Sequence, residues 1–207
     1  MNGYELVVLW FAWIVAGGSP GPATLSIAGT SMESGRRSGL MMSLGILVGS
    51  ASWGLAAAFG MSAIMLANAW VFETLRYVAA AYLLFLAFKS LRSALTPQTD
   101  LHQKAFSGSL KQIFVRGMLI HLTNPKAILS WGAVYAIAVS PSAKTADLLW
   151  MFGFLFSGSI LIFIGYALLF STEWVVAGYQ RMRKGFELGF AALFGFASLK
   201  ILTTRLL

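Results

Sequence analysis

A chain of 207 residues with 58% apolar side chains and only 11% Asp, Glu, Lys or Arg is not an ordinary soluble domain, where charged residues make up about a quarter. Its few charges cluster between apolar runs of about 20 residues, the length that crosses a bilayer core, so the sequence reads as an all-α integral membrane protein. The net charge of +8 comes from Lys and Arg lying between those runs and not along one basic face, which excludes nucleic acid as a partner, and the absence of cysteine excludes disulfides and thiolate metal sites.

The first predicted span, Tyr4–Met32, is too long for one straight crossing and contains Pro20 and Pro22, which predict a break there. Its beginning, MNGYELVVLWFAWIVAGG, has no Lys or Arg ahead of the apolar run, carries Glu5 and lacks a cleavage pattern, so it reads as a retained helix and not a signal peptide. The second span, Gly39–Leu66, carries Gly45 and Gly49, continued by Ser52, Ala56 and Gly60 on much the same face. Such a small-residue ridge admits close packing, either within the chain or in a homo-oligomer. The third span is Val71–Leu91. A polar stretch with TPQTD and SGS follows, and the remaining spans are Ile113–Val139, Leu148–Phe170 and Phe186–Leu206. The organisation expected is a first three-helix repeat over 1–91, a cytoplasmic linker over 92–112 and a second three-helix repeat over 113–207.

Orientation follows from the basic residues. Arg36 and Arg37 follow span one; Lys89, Arg92, Lys104, Lys111 and Arg116 surround the linker; Arg181, Arg183 and Lys184 precede span six. The opposite side has Arg76, Lys144, Lys200 and Arg205. The positive-inside rule makes the first set cytoplasmic and places both termini outside, in the periplasm of a bacterial inner membrane, with Trp70 and Trp150 at the outer interface and Trp174 at the inner one. Three crossings per half force the second half to enter from the opposite side, so the repeat is inverted. SPGPATL in span one and TNPKAIL in span four are its matching breaks, an arrangement seen in secondary transporters.

The chemistry is concentrated at those breaks. Proline removes a donor and leaves carbonyls unpaired, which hydrocarbon does not tolerate unless the break faces protein or water. Both breaks fall about 11–16 residues into their spans, near mid-membrane at about 1.5 Å per residue. New half-helices begin at Pro22 and Pro125, and because the spans are antiparallel their positive N-termini converge, an anion-binding arrangement suited to a carboxylate. Lys126 is the charged side chain deepest in any predicted span; it either docks a substrate carboxylate or satisfies loose carbonyls at the break. His121, about one turn earlier, is a candidate proton relay or a structural hydrogen-bonder. The acids Glu5, Glu33, Glu73, Asp147, Glu173 and Glu187 fall near span ends, where solvation is expected. Gly17-Gly18-Ser19-Pro20-Gly21 matches GxSxG, but an apolar helix precedes it and Asp147 follows both histidines, against the order a serine hydrolase needs.

In these same residues the chain resembles the LysE/RhtB family of amino-acid efflux proteins, the lysine exporter and homoserine–threonine exporter type. The matching elements are SPGPATL, SGRRSGLMMSLGILVGS, LRYVAAAYLLFLAFKSLRS and FVRGMLIHLTNPKAILSW, in that order. The resemblance implies a six-helix inner-membrane exporter of amino acids or related metabolites, driven by the proton gradient, with Pro20, Gly21, Pro22, Asn124, Pro125 and Lys126 lining or shaping the site. Many relatives carry Asp or Asn directly after PGP; here Ala23 and Thr24 follow, which weakens a cationic substrate, although Thr24 can still hydrogen-bond. Ser19 and Thr24 complete the candidate substrate-binding set. No catalytic residue, cofactor or metal is expected. A metal or inorganic-ion transporter would need intramembrane acids, histidines or thiols as ligands, and a non-transporting scaffold would leave two matched breaks and Lys126 unexplained.

Overall fold

The computed structural model describes residues 3–67, 69–96, 106–139 and 143–203. Among them every regular element is an α-helix: α1 (Gly3–Gly18), α2 (Pro22–Ala67), α3 (Ala69–Leu95), α4 (Leu110–Leu122), α5 (Pro125–Ala138), α6 (Thr145–Leu169) and α7 (Glu173–Thr203).

Spans one and four are both divided. α1 stops at Gly18 and α2 starts at Pro22, where a first-turn proline loses no hydrogen bond. α4 stops at Leu122, and α5 starts at Pro125 behind Asn124, whose side chain accepts from the Lys126 backbone N–H at 3.1 Å. The fourth span is cut nearly in half, with 13 residues before its break and 14 after. α2 folds back on itself at Gly35, whose φ of 79° and ψ of 172° suit glycine alone. The expected loop between spans one and two is therefore a single-residue hinge.

Two boundaries move. α3 continues to Leu95 and α4 begins at Leu110, so helix enters the expected linker from both ends. The middle of that linker, residues 97–105 with Lys104, lies outside the described residues, as do Arg205 and the side chains of Trp70, Arg76 and Lys200. The larger shift is in span six: α7 begins at Glu173, and Arg181, Arg183 and Lys184 ride on the helix instead of forming a loop. Charge marks a departure from hydrocarbon, but Arg and Lys are good helix formers and no proline intervenes.

Packing pairs α2 with α4 and α6, α3 with α5 and α7, and α1 with α6. The small-residue ridge is used inside the protein: Gly45 lies against the Phe114 carbonyl, Gly117 against the Met42 carbonyl, and a Cβ on Gly49 would lie 2.9 Å from that of His121. Polarity is inverted relative to a soluble fold. Ser26, Thr30, Ser31, Ser43 and Ser198 are buried, whereas Phe88, Phe196, Leu199 and Trp174 are exposed. Together with Pro22–Gly60 and Thr145–Leu169, which are long and apolar enough to cross a bilayer, that surface is the one lipid requires.

Candidate functional site

The two breaks meet. Lys126 occupies the second position of α5 and sends its ammonium across to the first break, where Nζ donates to the Ser19 carbonyl at 2.8 Å and to Ser19 Oγ at 2.5 Å. Gly21 makes room for it: a Cβ there would lie 3.5 Å from Lys126 Cδ and 3.6 Å from Nζ. The carbonyls left at the end of α1 are filled from other elements, Ser19 by Lys126 and Gly18 by the Tyr166 hydroxyl at 2.5 Å. Within the break, the Gly21 N–H donates to Thr24 Oγ1 at 3.0 Å, and Ser19 Oγ donates to the Ala16 carbonyl at 2.8 Å. Of the two roles open to Lys126, satisfying loose carbonyls is the one realised in this conformation. An ammonium has three donors, so one direction is left for a further acceptor.

Beside this junction is a cavity of about 40 Å³. Gly21, Thr24, His121, Asn124 and Lys126 line it, so five of the sequence-predicted residues are brought together. Ser19 touches Lys126 but is not in the wall; Pro20, Pro22 and Pro125 are outside it too and shape the backbone instead. A water needs roughly 10–15 Å³ of such space, so the cavity is sized for a few waters and not for a whole amino acid.

The rest of the wall was not anticipated. Trp13 and Trp131 sit with ring centroids 4.5 Å apart, and each indole N–H is held by a serine: Trp13 by Ser159 at 3.0 Å, Trp131 by Ser50 at 3.2 Å. Both serines directly follow a glycine in an apolar helix, Gly158-Ser159 and Gly49-Ser50. That dipeptide is the signal available in the sequence: glycine admits the neighbouring helix and serine meets its polar atom. His121 is 5% exposed and edge-on to Phe163 at 5.5 Å, and its Nδ1 has no partner among the described residues.

Among the described acids one departs from expectation. Glu5, Glu33, Asp147 and Glu173 are exposed, but Glu187 is only 2% exposed; the side chain of Glu73 lies outside the described residues. Its carboxylate accepts from Ser93 Oγ at 2.8 Å, and Arg183 Nη2 donates to the Ser93 carbonyl and hydroxyl at 3.0 and 2.9 Å. A buried carboxylate needs donors, and Ser93 of α3 supplies one while also holding Arg183, one turn earlier on α7. The spacing of Arg183 and Glu187, one helical turn apart, was legible once α7 is known to reach back to Glu173. Among the described residues, no group of three or more His, Asp or Glu side chains is disposed to hold a metal.

A model of the LysE type translocator family matches residues 14–205. The chain is 30% identical over 201 residues to the threonine efflux protein of Escherichia coli (strain K12), covering 93% of this chain and 94% of that protein. To the uncharacterized membrane protein YahN of the same strain it is 27% identical over 184 residues, covering 89% and 82%. To the leucine efflux protein of Klebsiella pneumoniae it is 32% identical over 126 residues, covering 61% and 59%. No solved structure matches the chain.

Proposed function

The chain belongs to the LysE type translocator family, and from that premise we propose that it exports amino acids, or related small metabolites bearing a carboxylate, across a bacterial inner membrane. The family is one of transporters and not of enzymes. Relatives named for threonine and leucine efflux support an amino-acid cargo. The observation that carries the reading is the reach of Lys126 from the start of α5 to the break before α2, beside a cavity with a polar wall.

Lys126 is the docking point for the substrate carboxylate. The starts of α2 and α5 supply further positive potential, since the peptide dipoles of a helix add up to a partial positive charge at its first turn. Asn124 and Thr24 orient the carboxylate, while Ser19, Pro20, Gly21, Pro22 and Pro125 hold the backbone open for it. The Ser19 oxygens accept from the ammonium; an arriving carboxylate competes with them and loosens the strut between the breaks. Because the cavity is smaller than an amino acid, binding requires the helices to part, as alternating access demands. The packing of α1 on α6 and of α4 on α2 supports two inverted repeats, because each sets the first half of a broken span against the following span of the other repeat. Both termini lie in the periplasm, and the inward proton gradient drives the cycle.

Inverted membrane vesicles holding the full chain test this reading with a panel of radiolabelled amino acids, with and without an imposed proton gradient. The expected result is uptake of at least one small neutral amino acid, accelerated by the gradient; counterflow of none would refute the export reading.

A further inference from the structure

Docking a carboxylate on Lys126 leaves the other end of an amino acid, its ammonium, in need of an acceptor. Among the described residues no carboxylate lines the cavity. Most of its polar oxygens are already committed: Ser50 and Ser159 accept from indole N–H groups, Asn124 from the Lys126 backbone, and Thr24 from Gly21. His121 differs. It is buried in the wall with Nδ1 lacking a partner among the described residues, a condition that costs free energy and is rare without a reason. Its placement is firm, between Gly49 and the edge of the Phe163 ring.

We propose that the His121 imidazole is the acceptor for the substrate's α-ammonium, and that a proton competes with the ammonium for the same nitrogen lone pair. The inference rests on the export reading above. A neutral imidazole offers one in-plane lone pair. Accepting an ammonium N–H occupies it; binding a proton also occupies it and adds a positive charge that repels the ammonium. Substrate and proton therefore exclude one another, which is the sign an exporter driven by inward proton flow requires. When the amino acid leaves toward the periplasm, the freed nitrogen takes a proton from water there. After the protein reorients, that proton passes to cytoplasmic water and the next ammonium replaces it. Nothing is transferred between His121 and the substrate, and one proton enters for each amino acid that leaves.

The charged group facing His121 is Lys126 on α5. The elements packed around the ring bring Trp13 from α1, Ser50 from α2, and Ser159 and Phe163 from α6, none of which titrates near neutrality.

The test uses the full chain in proteoliposomes with radiolabelled L-threonine. In the wild type, L-threonine should compete at least about tenfold better than 2,3-dihydroxybutanoate, which replaces the ammonium with a hydroxyl. His121→Leu should erase that preference. His121→Asn keeps an acceptor but cannot take a proton, so it should retain counterflow while losing acceleration by a proton gradient. No wild-type preference for L-threonine over 2,3-dihydroxybutanoate, a preference surviving in His121→Leu, or a gradient response surviving in His121→Asn would each overturn the proposal. A wild type that exchanges no amino acid would instead overturn the export reading, and this inference with it.

Discussion

At the first break the chain leaves α1 with two carbonyls, those of Gly18 and Ser19, and fills both from elsewhere, one with Tyr166 and the other with Lys126. At the second break the repair is internal: Asn124 caps α5 with its own side chain, and Lys126, two residues on, is free to point outward across the gap. One break is a set of acceptors waiting for a donor; the other is already capped and exports a charge. The two proline motifs are thus related by architecture and complementary in chemistry. Two helix starts meet at one place, and a single lysine adds a positive charge there.

The comparison is broken most severely at Lys126. Lys126→Met keeps the length of the side chain and removes both the strut to Ser19 and the charge offered to substrate. A charged hydrogen bond is worth about 1.5–3 kcal/mol, so export should fall by about 10- to 100-fold, measured as counterflow in vesicles with insertion checked by quantitative blotting. Transport within twofold of wild type would mean that the second break does not contribute a charge to the site. The next effect is on the frame that holds the breaks together. Gly45→Val drives a side chain into the α4 backbone at Phe114 and should cost about 1–3 kcal/mol, read as a lower Tm in detergent. Gly60→Ala, where an added Cβ would meet no described atom within 4 Å beyond its own helix, is the control and should leave Tm unchanged or slightly raised, since alanine favours a helix over glycine. The smallest effect should come from the cap that makes the second break self-sufficient. Asn124→Ala removes the acceptor for the Lys126 N–H and should cost about 1 kcal/mol, with Asn124→Asp recovering most of it in the same thermal melt.

The breaks were legible because proline acts locally: Pro22 and Pro125 fix where a helix can begin, whatever surrounds them. Lys126, His121, Asn124 and Thr24 were legible for a related reason, being polar groups beside a break in an otherwise apolar run. Trp13, Ser50, Trp131 and Ser159 were not. Tryptophan and serine are unremarkable in a membrane helix, and what marks these four is the pairing of each indole with a serine on another span, of which the sequence displays only the two Gly-Ser dipeptides. Glu187 was misplaced for a different reason. Reading Arg181, Arg183 and Lys184 as a loop put Glu187 at a wet boundary, whereas the helix from Glu173 carries it into the α3–α7 contact beside Ser93. Charge patterns locate the membrane surface better than they locate helix ends.

The central claim is that the joined breaks recognise a carboxylate, and it is tested most directly by removing that group from the ligand. L-threonine amide keeps the ammonium and the side chain of L-threonine and loses the negative charge. Competition of the acid and the amide against L-threonine counterflow, in wild type and in Lys126→Met, isolates the contribution of that charge. The account predicts that wild type prefers the acid by at least about tenfold and that the preference disappears in Lys126→Met. An amide that competes as well as the acid in wild type, or a preference that survives without Lys126, would contradict it.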